Sequence, residues 1–210
     1  MSEMTLEKAE VLSRAWNDAF VRRQGWLEHD LSDPIDSIKL FIEHLRGGAI
    51  LDAGCGWARY VHRFVHPHLS YTGIDHSSEA IALARASNPG LQFEIGSIAR
   101  LPFAEHTFDG IWSCCAIGSI PKKEVIAVLR EHVRVLKPDG CMFMLIPYPP
   151  QGWSEEVLYT DVGGNPTIYQ AHYELDEFCE YLQKAGLAVL EADIDLTRGS
   201  QHALVRIPGR

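Results

Sequence analysis

Residues Ala49 to Tyr60 read "AILDAGCGWARY". A short apolar run stops at Asp52, and Gly54 and Gly56 follow with one residue between them. Such a run, bounded by glycines, reads as a buried strand entering a tight turn. Glycine allows positive φ and lets a ligand or another backbone come close. The stretch therefore asks what approaches the chain so nearly that no side chain is permitted.

Outward from it, strands and helices alternate. "LSYTGIDHS" from Leu69 reads as strand then turn, and Ser78 to Ser87 as a helix. "LQFEIGS" and "TFDGIWSC" are the third and fourth strands, and a helix from Lys122 to Leu136 leads through the turn "KPDG" into a fifth, "CMFMLIP". After a long loop come a helix from Asp176 to Ala185 and the strands "LAVLEADI" and "ALVRI". Trp57 to Val65 is expected to be the helix after the first strand. Alternation with continuous apolar strands predicts a parallel α/β sheet covered by helices on both faces. The last two strands have no helix between them and predict a hairpin, with one antiparallel strand in the sheet.

Upstream, Ala9, Leu12, Trp16, Ala19 and Phe20 recur at helical spacing between Glu7 and Arg22. A second helix opens at "SDPIDSIKLFIEHL", with Asp33 as cap and Pro34 at the first helical position. The whole chain, 1–210, is expected to be a single domain, with N-terminal helices over 1–46 as a cap and the core over 47–210. Trp16 and Trp26 belong either to a cover over the site or to the packing of that cap.

Composition excludes several functions. The 210 residues are 46% hydrophobic and 22% charged, as in globular proteins. Nineteen Lys and Arg against 28 Asp and Glu give a net charge of −9, with no basic run, which argues against nucleic-acid and anionic-membrane partners and for a small-molecule substrate. No apolar run approaches the roughly 20 residues of a membrane span. The N-terminus "MSEMTLEKAE" does not resemble a targeting peptide. Five cysteines without disulfide spacing fit a reducing, cytoplasmic setting.

In a doubly wound sheet, ligands sit beyond the carboxyl ends of the strands, where the strand order reverses. Gly54 and Gly56 fall there, and Asp75, ending the second strand, is placed to accept both ribose hydroxyls of a nucleoside. A dinucleotide fingerprint wants a third glycine where Arg59 stands, and Asp52 would sit badly beside a pyrophosphate. These residues disfavour a nicotinamide dehydrogenase. A cofactor with a cationic amino-acid end tolerates Asp52, and S-adenosylmethionine is such a cofactor.

The stretches "ILDAGCGWAR", "YTGIDHSSEAIALAR", "GSIARLPFAEHTFDGIWS", "LREHVRVLKPDGCMFMLIP" and "HYELDEFCEYLQKAGL" run in the order of one family. The chain resembles a class I S-adenosylmethionine-dependent methyltransferase of the small ubiquinone/menaquinone-methylase-like kind, over roughly Ala49 to Leu187. The resemblance implies a Rossmann-like, doubly wound, seven-stranded and mostly parallel sheet with an antiparallel last strand. It also implies methyl transfer from S-adenosylmethionine to a small-molecule acceptor. Asp52, Gly54, Cys55 and Gly56 would hold the methionine moiety, Asp75 the ribose, and His76 would pack near the adenine edge. Ser97 and Ile98 would line the adenine, and Ser113 with Cys114 would close the pocket. Two positions depart from the family: Ala58 stands where the loop usually has Gly, and Ser97 replaces the acidic residue that receives the adenine amino group. A serine hydroxyl can also accept that bond. The departures leave a second reading, a methyltransferase-like binding or regulatory protein that does not transfer.

Methyl transfer is an in-line displacement, and holding the partners in line supplies roughly 7–11 kcal/mol in model reactions. A base is needed only when the nucleophile arrives protonated. Candidates lie between Tyr148 and Tyr173, a Pro- and Gly-rich stretch with Trp153, Tyr159, Tyr169 and His172. His172 has the pKa range of a base, with helix capping or solvent exposure as the alternatives, and Tyr148 follows the fifth strand, either facing the cofactor mouth or serving in packing. His62, His66 and His68 suggest a metal, with His62 and His66 on one helix face, yet no acidic or cysteine partner has ligand spacing, and no metal is expected. Cys114 and Cys115 are expected as buried small hydrophobes at a strand end, with a reactive thiol as the alternative. "PYPP" resembles the Asn-Pro-Pro-Tyr signature of amino-group methylases, but it lacks the Asn and follows the wrong strand.

Overall fold

The computed structural model describes residues 5, 34–148, 156–159, 168–196 and 199–209. The expected helix Glu7 to Arg22 lies outside these residues, as do Trp26, Asp33 and Trp153. The elements are α1 (Ile35–His44), β1 (Ala49–Ala53), β2 (Ser70–Asp75), α2 (Ser78–Ser87), β3 (Gln92–Ile95), β4 (Phe108–Cys114), α3 (Lys122–Val135), β5 (Leu136–Pro147), β6 (Glu156–Tyr159), β7 (Ile168–Ala171), α4 (Leu175–Lys184), β8 (Ala188–Asp195) and β9 (Ser200–Arg206).

Seven strands form one sheet in the order β3-β2-β1-β4-β5-β9-β8. The pairs among β1 to β5 are parallel, and β9 runs antiparallel to both β5 and β8. Successive strands leave β1 in opposite directions, so the switch point lies between β1 and β4.

The two-residue period of the strands divides the core. Leu51, Ile111, Met142 and Val205 face Val125 and Leu129 of α3 and Phe178 and Leu182 of α4. Their neighbours Ile50, Trp112, Phe143 and Leu204 face the other way, with Ile38 and Phe41 of α1 and Ile81 and Ala84 of α2. Trp112 stacks on Phe143 at 4.9 Å between ring centroids. Ser77 caps α2, its Oγ accepting the Ala80 N–H at 3.0 Å. Pro34 is itself the cap of α1, and Ile35 opens that helix.

Three expectations are corrected. Trp57 to Val65 is not an α-helix but a series of turns with one short 3-10 turn, Val61–Arg63. Ala58 is the reason, since its φ of 61° cannot continue a right-handed helix. His62 and His66 therefore share no helix face; His66 lies near His68 instead, with 5.5 Å between ring centroids. "KPDG" is not a turn before β5 but a bulge within it: Phe108 pairs with Leu136 and Gly110 with Cys141, and Asp139 takes φ 63°. The stretch from Tyr148 to Tyr173 is not all loop, because β6 and β7 pair into a two-stranded antiparallel sheet.

Candidate cofactor and acceptor site

The Gly54–Gly56 turn is pinned to β2. Gly54 and Cys55 both donate their N–H groups to the Ile74 carbonyl, at 2.8 and 3.0 Å. Both glycines have positive φ, 83° and 52°. Their surroundings differ: a Cβ on Gly54 would lie 2.3 Å from the Ala116 Cβ, whereas one on Gly56 would meet nothing within 4 Å among the described residues. The close neighbour at Gly54 is thus the chain itself, just past β4. Of the two glycines, Gly56 is the one that faces open space among the described residues.

Asp75 ties that opening to the end of β2. Its Oδ2 accepts the Gly56 N–H and its Oδ1 the Ser77 N–H, each at 2.9 Å. His76 Nδ1 stands 3.5 Å from Oδ1. A carboxylate offers about four lone-pair positions, so each oxygen can accept a further hydroxyl. Asp52 differs. It is 6% exposed, and Tyr71 donates its hydroxyl to Oδ2 at 2.6 Å. Burial pushes the Asp52 carboxyl up to about 7, aided by the charge of Asp75 and opposed by the Tyr71 bond.

The other expected cofactor residues lie at or just beyond the ends of β1, β3 and β4, with different groups available. Cys55 is buried, with its Sγ 2.8 Å from the place of a Cβ on Gly73, so it presents backbone to the opening. Ser97 Oγ accepts the Ala99 N–H at 3.2 Å, and Ile98 is buried beside it. The Ser113 hydroxyl is buried and donates to the Ala53 carbonyl at 3.2 Å, joining the ends of β4 and β1. Cys114 and Cys115 are half-buried rather than buried, because the chain leaves the sheet at Cys115 with φ 60°.

The segment after β4 connects the turn to the β6–β7 sheet. Ala116 touches Gly54, and a Cβ on Gly118 would lie 2.7 Å from Gln170 Nε2 and 3.5 Å from the Ala171 carbonyl. His172 follows directly and is 5% exposed. Burial, with the charge of Lys122 nearby, holds its imidazole below the usual range. Lys122 is locked by two bonds to Glu177, at 2.7 and 2.8 Å, and lies 4.8 Å from the Tyr173 ring centroid. Tyr169 and Tyr173 are core residues, at 1% and 0% exposure. Tyr148 is half-buried, and its N–H donates to the Gly199 carbonyl at 2.8 Å.

Four contributors were missed in the sequence. Tyr71, Ala116 and Gln201 look like ordinary strand or loop residues, and Glu174 like a helix start. Gln201 is 1% exposed and donates Nε2 to the Tyr173 carbonyl, which fixes the amide orientation. Its Oε1, and Oε1 of Glu174, are buried without a hydrogen-bond partner among the described residues. Among the described residues no group of three or more His, Cys, Asp or Glu side chains is placed to hold a metal ion. No described helix is long and apolar enough to cross a membrane.

The sheet order, the reversed β9 and the glycine turn at the switch point define a Rossmann-like α/β protein. Residues 50–140 match the family described as a methyltransferase domain. That match, together with the fold, supports reading the chain as a class I S-adenosylmethionine-dependent methyltransferase. It is 27% identical to the methyltransferase GfsG of Streptomyces halstedii over 154 residues, 69% of this chain and 54% of that protein. It is 34% identical to phthiotriol/phenolphthiotriol dimycocerosates methyltransferase 1 of Mycobacterium ulcerans over 137 residues, 63% of this chain and 49% of that one. The chain thus spans about half the length of these relatives. Among solved structures, the 1,6-didemethyltoxoflavin-N1-methyltransferase of Burkholderia thailandensis superposes with a TM-score of 0.77 at 17% identity, covering 99% of this chain and 92% of that one. At that identity the likeness is one of fold.

Proposed function

We propose that the chain binds S-adenosylmethionine at the ends of β1, β2 and β4 and transfers its methyl group to a small-molecule acceptor beside β7. The observation that carries this reading is the open Gly56, held by Asp75 at the switch point. The residues fit the cofactor. Gly56 leaves room for it, Asp75 keeps lone pairs for ribose hydroxyls, and Ser97 and Ile98 stand at the end of β3, where the adenine would lie. Asp52, Gly54, Cys55, Ser113 and Cys114 would surround its amino-acid end, with His76 at the adenine edge. The Burkholderia structure holds S-adenosylhomocysteine together with its acceptor, and the matched relatives are named as methyltransferases, which supports the same reading here.

When bound, the cofactor supplies a methyl group on a positive sulfonium. The protein's part is orientation and exclusion of water. The chain from Ala116 to Ser119 forms a wall shared by the glycine turn and β7, so acceptor and methyl would meet along it. His172, neutral at pH 7, would take a proton from an acceptor that arrives protonated. Tyr148, at the end of β5, would close the mouth. The buried Oε1 atoms of Gln201 and Glu174 would accept bonds from hydroxyl or amino groups of the acceptor. The acidic chain fits an uncharged or cationic small molecule better than a nucleic acid or an anionic membrane.

Calorimetry with S-adenosylhomocysteine tests the reading. Binding is expected, without comparable binding of NAD or NADP. Asp75→Ala is expected to weaken it by about 1.5–3 kcal/mol, the range for a hydrogen bond to a charged group. Tight NAD binding would overturn the assignment.

A further inference from the structure

Cys114 closes β4 and Cys115 follows it, and the two Sγ atoms lie 3.9 Å apart. Both cysteines are half-buried, packing against the core on one side and remaining partly accessible on the other. They stand on the segment that touches the glycine turn: Ala116, the next residue, occupies the space above Gly54. Cys115 is held at φ 60°, and its N–H donates to the Leu145 carbonyl at 2.7 Å. The backbone there is fixed on one side and packed against the turn on the other.

We propose that Cys114 and Cys115 form a reactive dithiol that a small-molecule disulfide converts to a vicinal disulfide, and that closing this ring weakens cofactor binding through Ala116 and Gly54. The inference rests on the cofactor site described above. In the step, the Cys115 thiolate attacks one sulfur of the oxidant and releases its first thiolate. The Cys114 thiolate then attacks Cys115 Sγ and expels the second. Two protons pass from the cysteines to the released thiols, and two electrons pass from the protein to the oxidant. The Cys114 thiol donates toward Cys115 and lowers the latter's pKa, which suits Cys115 as first attacker. Adjacent Cα atoms are about 3.8 Å apart, short of the usual span of about 4.4–6.8 Å for bridged residues. The ring is therefore strained and easily reduced, as reversible disulfides are.

The test treats the folded protein with oxidised glutathione and follows intact mass, peptide maps and calorimetry with S-adenosylhomocysteine. Wild type should lose about 2 Da with the link mapped to Cys114–Cys115, and reductant should reverse it. Affinity should fall at least about tenfold in the oxidised form and return on reduction. Cys114→Ser and Cys115→Ser should each abolish ring closure and leave a glutathione adduct on the surviving thiol. Cys179→Ser, on α4, should close the ring normally. Thiols that stay reduced, or a wild-type protein that stops at a glutathione adduct, would overturn the dithiol. Ring closure with unchanged affinity would overturn its coupling to the cofactor. The mass measurement reads the dithiol even if the reduced protein binds no S-adenosylhomocysteine, in which case the cofactor reading and the coupling fail while the ring is judged separately.

Discussion

The two halves of the sheet treat their polar groups differently. At the ends of β1 and β2, Asp52 is bonded to Tyr71, Asp75 to Gly56 and Ser77, and Ser113 to Ala53. Near β7 and β9, Gln201 and Glu174 each bury an oxygen that has no hydrogen-bond partner among the described residues. A buried acceptor without a donor costs about 1–3 kcal/mol, so such atoms need a reason. The first half satisfies these groups within the chain. The second leaves acceptors that, on the proposed function, the methyl acceptor would satisfy. On the proposed function, the contrast teaches that the cofactor end is held by bonds within the chain, whereas the acceptor end is left to bond its ligand.

The largest expected effect breaks or confirms the first half. The Asp52 carboxyl, raised from 3.8 to about 7, binds its proton more tightly in the folded state. The stability this gives is complete below about pH 4 and is lost as pH rises toward 7, amounting to about 4 kcal/mol. His132 and His172, whose pKa values burial lowers, act in the opposite sense and lose their contribution as pH falls below about 6.5. The difference between wild type and Asp52→Asn isolates the carboxyl. Urea unfolding from pH 4.5 to 8.5 should show the variant gaining on wild type as pH rises. Parallel curves would mean that Asp52 titrates normally and that the turn is not pre-arranged as described.

The same contrast explains what the sequence could reveal. The parallel sheet, the reversed β9 and the strand-end positions of Gly54, Gly56 and Asp75 were legible because each depends on local pattern: alternation, a helix-free hairpin, a glycine pair, and a carboxylate 19 residues beyond Gly56. Ala58 was visible as a departure, but its φ of 61°, which removes the expected helix over 57–65, was not. A non-glycine residue in that region is rare enough that sequence argues against it. β6 and β7 were hidden by the prolines and glycines around them. Tyr169 and Tyr173 were read as aromatics of a loop over the site, yet the pairing of β6 with β7 and the packing of α4 bury both. Gln201 could not be found at all, since its partner carbonyl is 28 residues away and carries no side-chain signal.

The next effect concerns the second half. If His172 is the base, His172→Ala should lower turnover on an acceptor that must lose a proton by about 100-fold, with little change in cofactor affinity. The wild-type rate should rise with pH through a midpoint below about 6.5 and then level, because burial and Lys122 favour the neutral ring. A drop of only a few-fold with an unchanged profile would make His172 a packing residue, and the acceptor half would then rest on Gln201 and Glu174.

The smallest effect sharpens the contrast within the turn itself. Gly54→Ala and Gly56→Ala both place a side chain at positive φ, which costs about 1–2 kcal/mol in each case. Only Gly54→Ala also drives a methyl into Ala116, 2.3 Å from its Cβ, and overpacking adds about 1–3 kcal/mol. Gly54→Ala should therefore be the less stable variant by that margin in urea unfolding. Gly56→Ala adds a methyl with nothing within 4 Å among the described residues, so its second effect should fall on the ligand. It should bind S-adenosylhomocysteine more weakly than its own stability loss explains. If Gly56→Ala binds as wild type does, the ligand does not approach that backbone. The second glycine would then serve only the turn and its bond to Asp75.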